Sequence, residues 1–164
     1  MRLYLVRHAI AAERNGSTLD DASRSLTQEG VEKMQQHVRG LAALGVQLDE
    51  VWTSPLIRAV QTAEILATGF GGRIAVKTVA ALQPDGDFEA LRSLAGDSKV
   101  GSLALVGHEP YLGEFTGYLL GGSRSLDIRF KKGGVAHLAV SDWRPPMCAE
   151  LCWLLTPKQL RLMA

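Results

Sequence analysis

The sequence predicts an α/β fold, a three-layer sandwich in which a mostly parallel sheet carries helices on both faces. Three observations predict it. Leu3-Tyr4-Leu5-Val6 and Leu103-Ala104-Leu105-Val106 are apolar runs without a polar face, as strands buried on both sides require. Around them, strand-like runs alternate with helix-period segments. Both apolar runs also lead into a histidine, His8 and His108, at the carboxyl strand ends where open parallel sheets form their ligand crevice.

The elements follow in order. Beyond His8 the chain is polar to about Leu26, with Asn15-Gly16-Ser17 as a turn signal. Thr27 is the expected N-cap of the first helix, with Leu26 and Val31 placed as a hydrophobic staple. Val31, Met34, Val38 and Leu41 keep the helical period, and Gly45 ends it. Residues 50–53 form a short strand. Ser54-Pro55 is expected to open the next helix, serine as N-cap and proline at the first helical position. That puts Arg58 near the helix start, ahead of Val60, Ala63, Ile65 and Leu66. Residues 74–79 read as a strand, Pro84-Asp85-Gly86-Asp87 as a loop and residues 88–94 as a short helix. After the strand ending at Gly107-His108, Pro110 begins a helix that runs to Leu120 and stops at Gly121-Gly122. Residues 135–140 and 151–155 close the sheet. No repeat, low-complexity tract or linker interrupts the pattern, so residues 1–164 are expected to form a single domain.

Composition narrows the function classes. The chain has 164 residues, 46% hydrophobic and 21% charged, with a net charge of +1. That balance provides no general attraction to nucleic acid or membrane, so positive charge at an anion site must be local. Only Leu3–Val6 separates Arg2 from Arg7, too short an apolar core for a signal peptide, and no apolar stretch reaches membrane-spanning length. Cys148 and Cys152 are separated by roughly 13 Å if both lie on one strand, beyond disulfide reach. Free, packed thiols in a reducing cytoplasm are expected.

Arg7, His8, Arg58 and His108 are the residues that can converge on chemistry. An arginine at a helix N-terminus is poorly placed for stability and gains most when an anion lies between it and the free N–H groups. Guanidinium forks match phosphate oxygens through paired, charge-assisted bonds. A metal site would draw on His8, His108 and Glu109, but two neighbouring arginines repel a divalent cation and no further ligand spacing completes a shell. Phosphate is therefore the expected ligand, sulfate its analogue, with no metal or cofactor.

These residues fall in segments that resemble the histidine phosphatase superfamily, the phosphoglycerate-mutase-like group, and within it the small SixA-type phosphohistidine phosphatases. Arg7-His8-Ala9 resembles the first motif, usually Arg-His-Gly. Ser54-Pro55-Leu56-Ile57-Arg58-Ala59-Val60-Gln61-Thr62-Ala63 resembles the second, and Gly107-His108-Glu109-Pro110 the third. Arg24-Ser25-Leu26-Thr27-Gln28-Glu29-Gly30 is similar to the stretch that opens the first helix. The resemblance implies that His8 accepts a phosphoryl group while Arg7, Arg58 and His108 hold the phosphate oxygens. Neighbouring positive charge disfavours imidazolium and so keeps His8 neutral and nucleophilic.

Two departures shape the expectation. Ala9 replaces the usual glycine, which requires a backbone conformation open to any residue. Many phosphomonoesterase relatives carry an acid after the third strand, and residues 81–87 hold no clear equivalent. Asp85 or Asp87 could substitute, although turn formation is the common use of such residues. Imidazole leaves a P–N bond far more readily than an alkoxide leaves phosphorus. The sequence-level expectation is a cytoplasmic phosphohistidine phosphatase acting through phospho-His8 on a histidine-phosphorylated signalling or phosphotransfer protein. The alternatives are a phosphomonoesterase using Asp85 or Asp87, and a non-catalytic phosphate-binding module. Arg24 could flank the pocket or be a solvated loop arginine. Lys131-Lys132 reads as a turn able to steer an acidic partner. His37 is expected on the polar side of its helix, His137 as structural, and Trp52, Trp143 and Trp153 as packing residues.

Overall fold

The computed structural model describes residues 1–13, 21–124, 126, 128–144 and 149–164, apart from the side chain of residue 22. The expected turn at Asn15-Gly16-Ser17 and Cys148 lie outside the described residues. Strands β1 (Arg2–Arg7), β2 (Glu50–Thr53), β3 (Ala75–Thr78), β4 (Ser102–Gly107), β5 (Val135–Val140) and β6 (Ala149–Leu155) form one sheet in the order β3-β2-β4-β1-β5-β6. β3, β2, β4 and β1 pair in parallel, while β5 runs antiparallel to both β1 and β6. The helices are α1 (Gln28–Ala43), α2 (Ile57–Gly69), α3 (Phe88–Asp97), α4 (Tyr111–Gly121) and α5 (Pro157–Leu162).

Strand alternation sorts the core into two layers. Leu3, Leu5, Leu103 and Leu105 face α3 and α4, where they meet Phe88, Leu91, Leu112 and Phe115. Tyr4, Val6, Ala104 and Val106 face the opposite layer, with Met34 and Val38 of α1, Ala63 and Leu66 of α2 and Leu160 of α5. The unbroken apolar runs are thus two alternating faces, each with its own helical cover. The expected three-layer, mostly parallel α/β architecture is what the chain adopts.

Local chemistry explains most boundaries. Thr27 caps α1 by accepting from the Gly30 N–H at 3.0 Å, and Leu26 and Val31 join the same apolar layer. Gly45 takes φ 74°, and its N–H reaches the Ala42 carbonyl at 2.9 Å as the helix ends. Gly122, at φ 69°, closes α4 in the same way. Trp52 is buried, and Trp143 and Trp153 pack against the two layers. His137 stacks on Tyr4 with ring centroids 4.6 Å apart.

The differences from expectation have physical causes. α2 begins at Ile57 with Leu56 as its cap, not at Ser54-Pro55: Leu56 is still extended, and the Ser54 hydroxyl, 2.8 Å from His108, accepts only a long 3.4 Å bond from the Leu56 N–H. α3 extends to Asp97, α4 starts after Pro110, and β6 starts at Ala149. α5 has no counterpart in the sequence reading: at six residues it is too short for a periodic signal, although Thr156 and Gln159 form a capping box. α5 also corrects His37, which is buried at 2% exposure and bonded by Arg161 of that helix at 3.1 Å. Cys152 is free as expected but exposed rather than packed, because β6 is an edge strand. Among the described residues no helix is long and apolar enough to cross a membrane.

Candidate active site

The site follows from strand register. β1 and β4 lie side by side at the centre of the sheet, and Arg7 pairs with Gly107. The next residues, His8 and His108, therefore leave the sheet together, and the His8 N–H donates to the Gly107 carbonyl at 3.0 Å. The helix after β1 packs on one face and the helix after β4 on the other. This divergence opens a crevice beyond the carboxyl strand ends. The imidazole centroids of His8 and His108 stand 5.3 Å apart in it.

His8 has a defined tautomer. Its Nδ1 lies 2.7 Å from the Ala9 carbonyl oxygen, an acceptor only, so Nδ1 carries the proton and Nε2 the lone pair. Burial pushes its pKa down to about 4, against the stabilising Ala9 bond, with Arg58, Arg7 and Lys132 adding repulsion. At neutral pH the ring is uncharged. Ala9 avoids positive φ, as its identity requires. Its N–H donates to the Thr62 hydroxyl at 3.1 Å, and that hydroxyl donates to the Arg58 carbonyl at 2.7 Å. Gln61 accepts from the Leu26 N–H at 2.7 Å. These two side chains of α2 hold the loop that follows His8.

His108 is 2% exposed, and its Nε2 lies 2.8 Å from the Ser54 hydroxyl. Ser54 follows β2, whose neighbour is β4, and its N–H donates to the Val106 carbonyl at 3.0 Å. Burial, followed by His8 and Arg58, lowers the His108 pKa to about 3. Its Nδ1 is buried with no bonded partner among the described residues, as is Nε of Arg7. Arg7 donates to the Phe130 carbonyl at 2.6 Å. Glu109 in turn accepts from the Phe130 N–H at 3.3 Å, and burial raises its pKa against the pull of that bond and of Arg7. Arg58, at 4% exposure, donates to the Asp21 carbonyl at 2.6 Å and to its carboxylate at 2.8 Å.

The structure thus gathers Arg7, His8, Arg58 and His108. It places Arg24 beside them through a 2.8 Å ion pair with Asp21, and Arg24 also donates to the Ala12 carbonyl. Asp85 and Asp87 lie just before α3, where the Asp87 charge adds to burial in raising the pKa of Tyr111 of α4. Asp85 is exposed, and Asp87 caps α3 by accepting from the Glu89 and Ala90 N–H groups at 2.8 and 3.3 Å. Among the described residues no group of three His, Cys, Asp or Glu could hold a metal ion.

Sequence reasoning missed four contributors. Ser54 carried a signal, since it was visible as a capping residue beside Pro55, but its partner was not. Asp21 and Glu109 had no signal as partners of arginines. Lys132 acts on His8 because the turn is tied to β1: the Gly133 N–H reaches the Arg7 and His8 carbonyls, each at 3.1 Å.

Comparison with known proteins adds the family context. The sequence model of the histidine phosphatase superfamily (branch 1) matches residues 3–94. An uncharacterized protein of Picosynechococcus sp. (strain ATCC 27264 / PCC 7002 / PR-6) is 36% identical over 168 residues, covering 98% of this chain and 99% of the relative. Among solved structures, the protein histidine phosphatase SixA complexed with tungstate superposes with a TM-score of 0.84 at 22% identity, covering 98% and 99% of the two chains. A candidate SixA phosphohistidine phosphatase from Agrobacterium tumefaciens gives 0.75 at 27% identity, over 95% and 97%. The α-ribazole phosphatase of Shigella flexneri gives 0.74 at 19% identity, over 96% and 97%.

Proposed function

The chain belongs to the histidine phosphatase superfamily, with phosphatase chemistry as its general activity, and from that premise we propose that it hydrolyses phosphohistidine through a phospho-His8 intermediate. The observation that carries this reading is the fixed His8 tautomer, which leaves Nε2 as a neutral lone pair among cationic groups. Arg7, Arg58 and His108 are the phosphate-holding groups. With the Ser54 hydroxyl donating to His108 Nε2, the Nδ1 proton of His108 is free to bond a phosphate oxygen. Phosphoryl transfer rests mainly on positioning and charge neutralisation, which this arrangement supplies.

In the first step the Nε2–P bond of His8 forms as the substrate P–N bond breaks, and the departing imidazole takes a proton from water. In the second, water attacks the phosphorus of phospho-His8, its O–P bond forming as the His8 Nε2–P bond breaks; Nε2 regains its lone pair, phosphate leaves the site, and the released water proton neutralises the hydroxide left by the first step. The charges acting directly on His8 are all cationic, and Asp87 is engaged as a helix cap. Such a site favours a leaving group that needs no strong acid, hence a P–N bond over an alkyl ester. The expected substrate is a histidine-phosphorylated signalling or phosphotransfer protein. Turnover of a phosphohistidine protein against serine and sugar phosphates, each with and without chelator, tests this. A clear preference for phosphohistidine, insensitive to chelator, is expected; equal or faster turnover of the esters contradicts it.

A further inference from the structure

Beside the catalytic pocket, and sharing Arg7 with it, runs a trough of about 520 Å³. Lys33, His37, Lys131, Lys132 and Arg161 line it, and no carboxylate does among the described residues. We propose that this trough is a second anion subsite, which holds acidic side chains flanking the phosphohistidine of the protein substrate.

Three observations carry the inference. First, the cations are placed by construction. The Lys131-Lys132 turn is stitched to the end of β1 by Gly133 and by the Arg7 N–H, which donates to the Gly134 carbonyl at 3.1 Å. Arg161 rides on α5, which sits so close to α1 that a Cβ on Gly40 would stand 2.0 Å from the Leu160 carbonyl oxygen. Second, Lys131, Lys132 and Arg161 have no ion-pair partner among the described residues, whereas Lys33 pairs with Glu29 and Arg7 lies near Glu109. A chain with a net charge of only +1 has concentrated uncompensated cations here. Third, His37 is buried with Nε2 bonded by Arg161, while its Nδ1, beside Gly133, has no partner among the described residues. With Nε2 accepting from arginine, Nδ1 must carry the ring proton of the neutral form, a buried donor behind the trough lining.

The occupant follows from charge and position. The trough opens next to the His8 pocket, so a group held in it belongs to the molecule whose phosphoryl group is being transferred. Carboxylates complement lysine and arginine, and a folded phosphoprotein can present several at the rim of its histidine. This assignment rests on the phosphohistidine reading for its substrate.

Two measurements on the full chain test it. In the first, Lys131→Gln/Arg161→Gln should lower kcat/KM on a phosphohistidine protein at least tenfold more than on N-phosphoimidazole, the difference lying in KM. Equal effects on the two substrates overturn the subsite, and an equal loss on a small substrate bearing a second phosphate overturns the protein occupant. Lys131→Gln alone, in an exposed turn, should show the same direction if the Arg161 change loosens α5. In the second, titration with unphosphorylated hexaglutamate at low salt should shift the His37 ring resonances and the Lys131 and Arg161 amides. That shift should vanish in the double variant or in 0.5 M salt, and its absence in the wild type overturns the subsite. Hexaglutamate binding without any phosphohistidine turnover would retain the anion subsite, while removing the phosphohistidine reading and its substrate assignment.

Discussion

The catalytic pocket and the adjoining trough share the end of β1, yet they use positive charge in different ways. In the pocket, Arg58 and the two histidines are at most 5% exposed, and each is fixed by a directed bond to Asp21, Ala9 or Ser54. In the trough, Lys131 and Lys132 project from an exposed turn without a partner among the described residues. Buried, bonded charge acts at short range and is little screened; exposed charge reaches farther and is screened by salt. On the proposed reading, the contrast lets one strand end hold a reacting phosphate rigidly and attract its carrier loosely.

Loss of the nucleophile separates the two regions most sharply. His8→Ala should reduce kcat by on the order of 10⁵-fold or more while hexaglutamate still binds. Retained turnover would break the assignment. Arg58→Ala should cost about 10²–10³-fold in kcat, as removal of one preorganised charge donor does. A KM effect alone would move Arg58 from the pocket's function to the trough's. Ser54→Ala removes the hydroxyl bonded to His108, a neutral contact, and should cost about tenfold in kcat. Ser54→Thr should restore it, and the acid limb of the kcat profile should shift only in the alanine variant. Raising salt from 50 to 500 mM should lower kcat/KM on the phosphoprotein about tenfold through screening and leave N-phosphoimidazole nearly unaffected.

The histidines sharpen the comparison through stability. His8, His37 and His108 are held at about 4, about 4 and about 3, below the ordinary value of 6.5. As pH falls below about 6.5, the unfolded chain takes up protons that the folded one refuses. Stability present above that pH should therefore be lost progressively toward pH 4. A urea midpoint unchanged between pH 7.5 and pH 5 would show these rings to be solvated.

The two regions were unequally legible in the sequence. The sheet centre was readable because Leu3–Val6 and Leu103–Val106 are apolar throughout, and because each run leads to its histidine. The Thr27 cap and the terminal glycines were readable as local chemistry. The Arg7–Gly107 register was not, since strand pairing is set by contacts far apart in sequence. Ser54 shows the limit clearly: a serine before proline has a local reading as a cap, and only the β2–β4 pairing reveals His108 as its partner. His37 lies three residues after Met34 and four before Leu41, so its spacing already placed it on the buried stripe; the polarity of the ring hid that. What covers it is α5, too short to declare itself. The trough was opaque for the same reason, because its wall depends on that helix.

Covalent trapping tests the central claim most directly. The enzyme would be mixed with phosphorus-labelled phosphohistidine protein, quenched in alkali within one turnover, digested and sequenced by mass spectrometry. Label is expected on His8 alone, absent from His8→Ala. Steady turnover with no labelled histidine, or with label on a different residue, would contradict it.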